Sequence, residues 1–309
     1  LGYSVRQKIA LVKRFEERGK LCLIAEAGAK KAISALEIME RKNHDSLADE
    51  WSNNADMFKD IMVGDGTCDV SYNYINELTG LPETGYGMVD EERKININKA
   101  EMDTLERLLR IVLELSEMQA QEIAASIIDW RDGDSGLSIP QGSAEDSYYR
   151  YISTPYEAKD SDFEVLEEVL LVKGMDEDIF ERLKNFITIY GDGKINVNTA
   201  SRPVLLTLGL NGTIVDYIMR FRYGEDGVIG TADDRAFDLP SNITPMISQS
   251  YSLSPQEIAQ LSVVAERYLA TVSNNFMVRS VAAMDKEKGT AGIICVVDKK
   301  GKVLRWQGL

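Results

Sequence analysis

Three β-prone runs close the chain: Phe276-Met-Val-Arg-Ser-Val-Ala-Ala-Met284, Ala291-Gly-Ile-Ile-Cys-Val-Val297 and Val303-Leu-Arg-Trp-Gln307. Asp298-Lys-Lys-Gly301 reads as the hairpin turn between the last two. Three such strands have few partners of their own. The other strand candidates, around Cys68 to Tyr74 and Tyr86 to Val89, lie far upstream, so the tail is expected to complete a sheet begun there. Between them, helical patterns at 99–115, 120–130, 163–171, 176–190, 202–208, 212–223 and 254–268 alternate with acidic or glycine-containing loops. That block then reads as an insertion. The first forty residues form one amphipathic helical pattern, with Leu11, Phe15, Cys22, Ala25, Ala29, Ile33 and Leu36 on its apolar stripe and basic residues opposite. The expected fold class is α+β. Residues 1–95 and 271–309 form a discontinuous α/β domain, a long N-terminal helix on an antiparallel sheet, and residues 96–270 form an inserted all-α domain.

A length of 309 residues fits two domains, and 44% hydrophobic content argues against extensive disorder. The net charge of −15 disfavours a general nucleic-acid binder, which must neutralise phosphates with Lys and Arg. Residues 1–42 nevertheless carry +5, which leaves −20 for the rest: a basic helix precedes an acidic body. No run approaches the ~20 apolar residues of a membrane span. Cys22, Cys68 and Cys295 do not have zinc-site spacing. Cys22 and Cys295 read as buried small hydrophobes, and a bridge between Cys68 and Cys295 is open.

Lys94-Ile-Asn-Ile-Asn98 recurs as Lys194-Ile-Asn-Val-Asn198, 100 residues later, each copy followed by a helical pattern. The second copy, through Leu208-Gly-Leu-Asn-Gly212, resembles a helix-hairpin-helix module, whose glycine turn can bind DNA phosphate. Its turn departs from the Gly-hydrophobic-Gly pattern and its charge is only weakly positive, so the repeat reads as a packing unit.

Two loops concentrate hard oxygen donors, the ligand type calcium takes. The first offers Asp129, Asp132, Asp134, Glu145 and Asp146; its spacing is not an EF-hand, and solvated acidic turns account for it foremost. The second, Tyr223-Gly-Glu-Asp-Gly-Val-Ile-Gly-Thr-Ala-Asp-Asp234, is the more specific signal, and metal is favoured there. Its candidate set is Asp226, Val228, Thr231, Asp233 and Asp234, with glycines that let the backbone turn its carbonyls inward. Catalytic constellations are missing: the single histidine, His44, reads as a solvated residue near the end of the first helix, and no P-loop, nucleophile elbow or HExxH occurs.

The order of these pieces resembles a known family. A basic helix, Tyr86-Gly-Met-Val-Asp-Glu-Glu92 before Lys94-Ile-Asn-Ile-Asn98, Asp129-Trp130 with Ala144-Glu-Asp-Ser-Tyr-Tyr149, and Lys194-Ile-Asn-Val-Asn-Thr-Ala200 together resemble the K-type minor pseudopilins of type II secretion, general secretion pathway protein K. The resemblance implies a pilin-like domain with an inserted helical domain and a non-enzymatic role at the tip of a periplasmic pseudopilus. It also implies I-type and J-type minor pseudopilins and other pseudopilus subunits as partners, and calcium as a loop-stabilising ion. A hydrophobic segment preceding Leu1, anchored in the bacterial inner membrane, belongs to the same expectation; nucleic acid does not. The competing classes are a helix-hairpin-helix DNA-binding module and a carboxylate-dependent hydrolase.

Overall fold

The computed structural model describes the chain except Leu1 and residues 39–42, 77–78, 228, 230, 232 and 285–288; of residues 2–6 and 10 it describes the backbone alone. The elements begin with α1 (Gly2–Ile38), α2 (Ala55–Phe58), β1 (Ile61–Val63), β2 (Gly66–Ile75), β3 (Pro82–Tyr86) and β4 (Val89–Asp90). Next come β5 (Ile95–Asn96), α3 (Met102–Leu113), α4 (Glu117–Arg131), α5 (Asp146–Tyr149), α6 (Glu177–Leu183) and β6 (Ile187–Thr188). The chain continues with β7 (Ile195–Asn196), α7 (Arg202–Thr207), α8 (Gly212–Arg222), α9 (Ile243–Ser250), α10 (Pro255–Tyr268) and β8 (Leu269–Ala270). It closes with β9 (Asn275–Met284), β10 (Thr290–Asp298) and β11 (Val303–Gly308). By packing these fall into two units, one of Leu1–Asp90, Ile229–Ala232 and Ser273–Leu309, the other of Glu91–Val228 and Asp233–Val272.

The first unit is a helix on a sheet. Its strands run β1-β2-β9-β10-β11, with β3 added to β2 and β4 to β9, and all of these pairings are antiparallel. The closing strands thus find their missing partner in β2, where Cys68 lies opposite Ala282 and Val70 opposite Ser280. Alternation decides which side faces α1: Cys68, Val70, Phe276, Val278, Ala282 and Cys295 are buried against Ala25, Ala29 and Ala32 of the helix. Small side chains let the helix come close. Trp51 closes one end of this core, edge-on to Phe276 at 5.0 Å.

One feature of this unit differs from the sequence reading, and the open question of a bridge between Cys68 and Cys295 is answered. Cys22 is exposed, and so are Leu11 and Phe15, because the buried face of α1 begins only at Leu21. The reason is length: 37 helical residues span about 55 Å, whereas a ten-residue strand spans about 33 Å, so one end of the helix outruns the sheet. All three cysteines are free thiols. Cys68 on β2 and Cys295 on β10 are separated by β9, roughly 9.6 Å of sheet, which is beyond the reach of a disulfide. Burial pushes the Cys295 thiol up to about 11 and raises that of Cys68. His44 lies beyond the end of α1 at Ile38.

The second unit is not all-α. It consists of two successive repeats, each opening on a Lys-Ile-Asn strand and closing on a short strand that pairs with it in parallel: β5 with β6, β7 with β8. Within each repeat a helical hairpin follows the opening strand, α3–α4 in the first and α7–α8 in the second. The offset of 100 persists in detail. α3 starts at Met102 and α7 at Arg202, and Arg107 of α3 donates to the carbonyl of Thr207 in α7 at 2.8 Å. The segment expected as one helix over 176–190 ends at Leu183, since Ile187 and Thr188 leave to form β6. The segment 163–171 holds a 3-10 helix at Leu166–Leu171, and α9 was not foreseen. The glycine turn of the second hairpin is engaged from within the chain, as the Gly209 carbonyl accepts from Gln260 at 2.6 Å.

Helix and sheet pack tightly at Gly28, where a β-carbon would stand 2.4 Å from Ser280 Oγ and 2.6 Å from Cys68 Sγ. Gly28→Val is therefore expected to lower stability by about 1–3 kcal/mol through overpacking. Denaturant unfolding reads this directly, and an unchanged midpoint would mean that the helix does not sit at this spacing.

Candidate metal centre

Both acidic loops leave the second helix of a hairpin. In the first repeat, α4 is fixed at its start by a capping box between Ser116 and Gln119, and its last turn delivers Asp129, Trp130 and Arg131. Asp129 is 0% exposed, and its carboxylate accepts from the Ser138 backbone at 3.0 and 3.3 Å. The chain then loops outward and returns at Glu145, which is 3% exposed and immediately precedes α5. Tyr149 and Tyr156 stack at 5.2 Å, and Trp130 stands edge-on to both. Such a wall supplies little solvation for charge.

The consequence is electrostatic. Burial, followed by the nearby Asp129 charge, pushes the Glu145 carboxyl up to about 7, with Asp132 and Asp160 adding to the repulsion. Burial also raises Asp132, as do Asp134 and Asp129. Glu145 Oε1 and Asp132 Oδ1 are buried without a hydrogen-bond partner. Oxygens of this kind are costly unless a proton or a cation meets them. Among the described residues, no group of three or more His, Cys, Asp or Glu side chains is gathered as a metal's ligands would be. Asp129, Asp132 and Glu145 thus share a field without converging on one point.

The remaining donors of this loop are otherwise engaged. Asp146 accepts from the Ala158 backbone at 2.9 Å and from Arg150 at 2.7 Å, and Asp134 closes an exposed turn by accepting from Gly136 at 2.7 Å. Asp160, which sequence reading passed over, belongs to the field around Glu145. Its only sequence signal is the acidic pair Asp160 and Asp162, and nothing there announces proximity to a site thirty residues upstream along α4.

The second loop is built differently. Asn211 caps α8 by accepting from Ile214, the helix runs to Arg222, and Gly224 and Gly227 then take left-handed φ values of 66° and 72°. At Gly224 a β-carbon would lie 2.4 Å from Asp233 Oδ2, so only glycine fits. That same oxygen accepts from the backbones of Glu225 and Asp226, at 2.6 and 3.1 Å. Asp233 therefore organises the turn. Asp226 and Asp233 are exposed, Asp234 and Thr231 are half-buried, and Val228 lies outside the described residues.

Comparison with known proteins bears on the whole chain. Residues 75–192 match the family model described as Type II secretion system (T2SS), protein K. The type II secretion system protein K of Pseudomonas aeruginosa is 26% identical over 184 residues, 53% of this chain and 55% of that protein. The protein of the same description from Aeromonas hydrophila is 30% identical over 95 residues, 30% of this chain and 28% of that one. The chain thus spans about half the length, or less, of these curated relatives. A chain of the GspK-GspI-GspJ complex from enterotoxigenic Escherichia coli shares the fold with a TM-score of 0.67, at 17% identity, covering 98% of this chain and 99% of that one. Over residues 75–192 the chain is thus similar to protein K of the type II secretion system, and its helix-on-sheet unit and repeated hairpins share the fold of a chain of the solved complex.

Proposed function

We propose that this protein is a structural, non-catalytic minor pseudopilin that caps the tip of a periplasmic type II secretion pseudopilus in company with I-type and J-type minor pseudopilins. The observation that carries this reading is the first half of α1, where Ile9, Leu11, Val12 and Phe15 are 54–68% exposed. An apolar stripe of that length on a helix that outruns its own sheet is suited to packing against other helices. The solved relative comes from a complex of K, I and J proteins, which supports the choice of partner. Anchorage at the inner membrane belongs to the same reading, and Lys8, Lys13, Arg14, Arg18 and Lys20 on this half of the helix suit an anionic lipid surface. Co-purification with soluble I-type and J-type proteins is the test. Phe15→Glu is expected to weaken the association at least about tenfold, as burying a charge in an apolar contact demands; no association of the unaltered protein with either partner would refute the proposal.

Calcium is the second part of the proposal. The partnerless buried oxygens of Asp132 and Glu145, beside the buried Asp129, are donors of the type a hard cation takes, and a cation that drew them together would remove their mutual repulsion. Asp226, Asp233 and Asp234, with the backbone at Val228 and Thr231, are the donors available in the second loop. A cation held by the folded chain alone raises stability by about 2.7 kcal/mol at a hundredfold excess over its Kd. Melting that is indifferent to calcium and chelator, with no metal in elemental analysis, would sink this part.

The metal-free protein carries its own signature. Glu145 holds its proton to about pH 7 when folded, against an ordinary value of 4.5. Across that window the unfolded chain has released the proton and the folded one has not, so this group's contribution to stability falls as pH rises from about 4.5 to about 7. Glu145→Gln should abolish that slope and raise the melting temperature of the chelated protein at pH 8. A variant that melts lower than the parent at pH 8 would show that the carboxylate is not strained by its surroundings.

A further inference from the structure

The two Lys-Ile-Asn-x-Asn turns hold more than their own strands. In the first repeat, the Asn98 side chain accepts from the Phe163 backbone N–H at 2.8 Å and donates to the Phe163 carbonyl at 3.0 Å. In the second, Asn198 accepts from the Phe237 N–H at 2.8 Å and donates to the Phe237 carbonyl at 2.9 Å. One carboxamide thus satisfies both backbone groups of a residue far along the chain. In each case that residue is a buried phenylalanine on the far side of the acidic loop.

The near end of each loop is tied to the same turn. Arg131, the last residue of α4, donates to the carbonyls of Ile97 and Ala100. Arg222, the last residue of α8, donates to the carbonyl of Ala200 at 2.6 Å. Ala100 and Ala200 are again 100 residues apart. The turn itself is braced alike in both copies, because Asn96 accepts from the Asn98 backbone at 2.9 Å and Asn196 from that of Asn198 at 3.0 Å. An arginine at the exit of the hairpin and an asparagine two residues past the strand therefore grip the two ends of one loop.

We infer that Asn98 with Arg131, and Asn198 with Arg222, are two copies of one clamp, positioning residues that hold the first and second acidic loops respectively. The 100-residue spacing holds for the asparagine jaws and their turns, not for the arginines, and the loops between the jaws differ in length and content: Asn98 reaches 65 residues ahead to Phe163, Asn198 only 39 to Phe237. Each clamp closes its own loop and not the other's. A loop with both ends fixed has fewer open states, so carboxylates it carries stay near one another against their repulsion. For the first loop this rests on the proposal that Asp129, Asp132 and Glu145 take calcium.

Hydrogen exchange on the whole chain, with chelator present, tests the clamp apart from any metal. Asn98→Ala should speed exchange of amides in 132–163 about tenfold or more while leaving 223–237 unchanged, and Asn198→Ala should do the reverse. The milder Asn98→Asp and Asn198→Asp keep the acceptor and lose the donor, so they should give smaller changes confined to the same loops; they stand in wherever an alanine variant does not fold. Calcium titration of the Asn98 variants, read by calorimetry, should show affinity weakened about tenfold with the same number of sites. Exchange that rises equally in both loops for every variant, or in neither, overturns the clamp. Absence of calcium binding by the parent protein would overturn the metal reading alone, with the exchange result still deciding for or against the clamp.

Discussion

Strand β9 is the piece on which the first unit depends. It pairs with β2, β4 and β10, yet it enters the chain only after the whole second unit has been made. Until it arrives, α1 has half a sheet to lie on, and Ala25, Ala29 and Gly28 have no partner on Val278, Ser280 and Ala282. Closing so long a loop carries an entropic cost that grows only slowly with length. What the junction needs is a firm fixing point, and it has one. The Ser273 hydroxyl donates to the buried Asp90 at 2.6 Å, and the Ser273 N–H donates to Asp45 at 2.8 Å. Asp45 is in turn held by Lys299 at 2.6 and 2.7 Å. The last residue before the second unit and the first residue after it are thereby joined by one hydrogen bond.

The second unit solves its own problem in another way. Its opening acidic residues, Glu91 and Glu92, are buried, and Glu91 is met by Lys94 at 2.6 Å and by the Thr188 hydroxyl at 2.5 Å. A fully engaged carboxylate at the start of the first repeat contrasts with the unengaged oxygens of Asp132 and Glu145 in the same unit. The same chemical group is structural in one place and strained in the other. What differs is whether a cation from the chain reaches it.

Much of this arrangement was readable beforehand because it is long and periodic. The alternation in Phe276–Met284 and Ala291–Val297 specifies strands buried on one side, and the excess of strands over partners pointed to β2. Strands two residues long carry no periodicity, so β5 to β8 leave no signal in the sequence, and Ile187 and Thr188 read as the end of a helix. α9 begins after Pro240 and contains Pro245 and four polar residues, Thr244, Ser248, Gln249 and Ser250, which disguise its apolar face. Cys22 lies on the stripe yet outside the core, because a stripe fixes a face but not how far the partner sheet extends. In the acidic loops the donors are legible as residue types, whereas the burial of Asp129 and Glu145 is a product of tertiary packing that residue types do not announce. Asp233 shows the opposite case: a carboxylate placed among glycines to take backbone N–H groups and shape a turn.

Each repeat of the second unit begins and ends on adjacent parallel strands, Ile195–Asn196 beside Leu269–Ala270 and Ile95–Asn96 beside Ile187–Thr188. A segment whose two ends lie side by side can be copied in a gene and joined head to tail without disturbing what precedes or follows it. The second copy then needs only a short connection, and here residues 189–194 supply it. Duplication leaves each copy free to drift in the stretch that its own fold does not use. The loops between hairpin and closing strand, 15 residues from Tyr223 to Phe237 in one case and far longer in the other, are where such drift has room. A change of length or charge in these loops is then accommodated where it leaves the paired ends undisturbed.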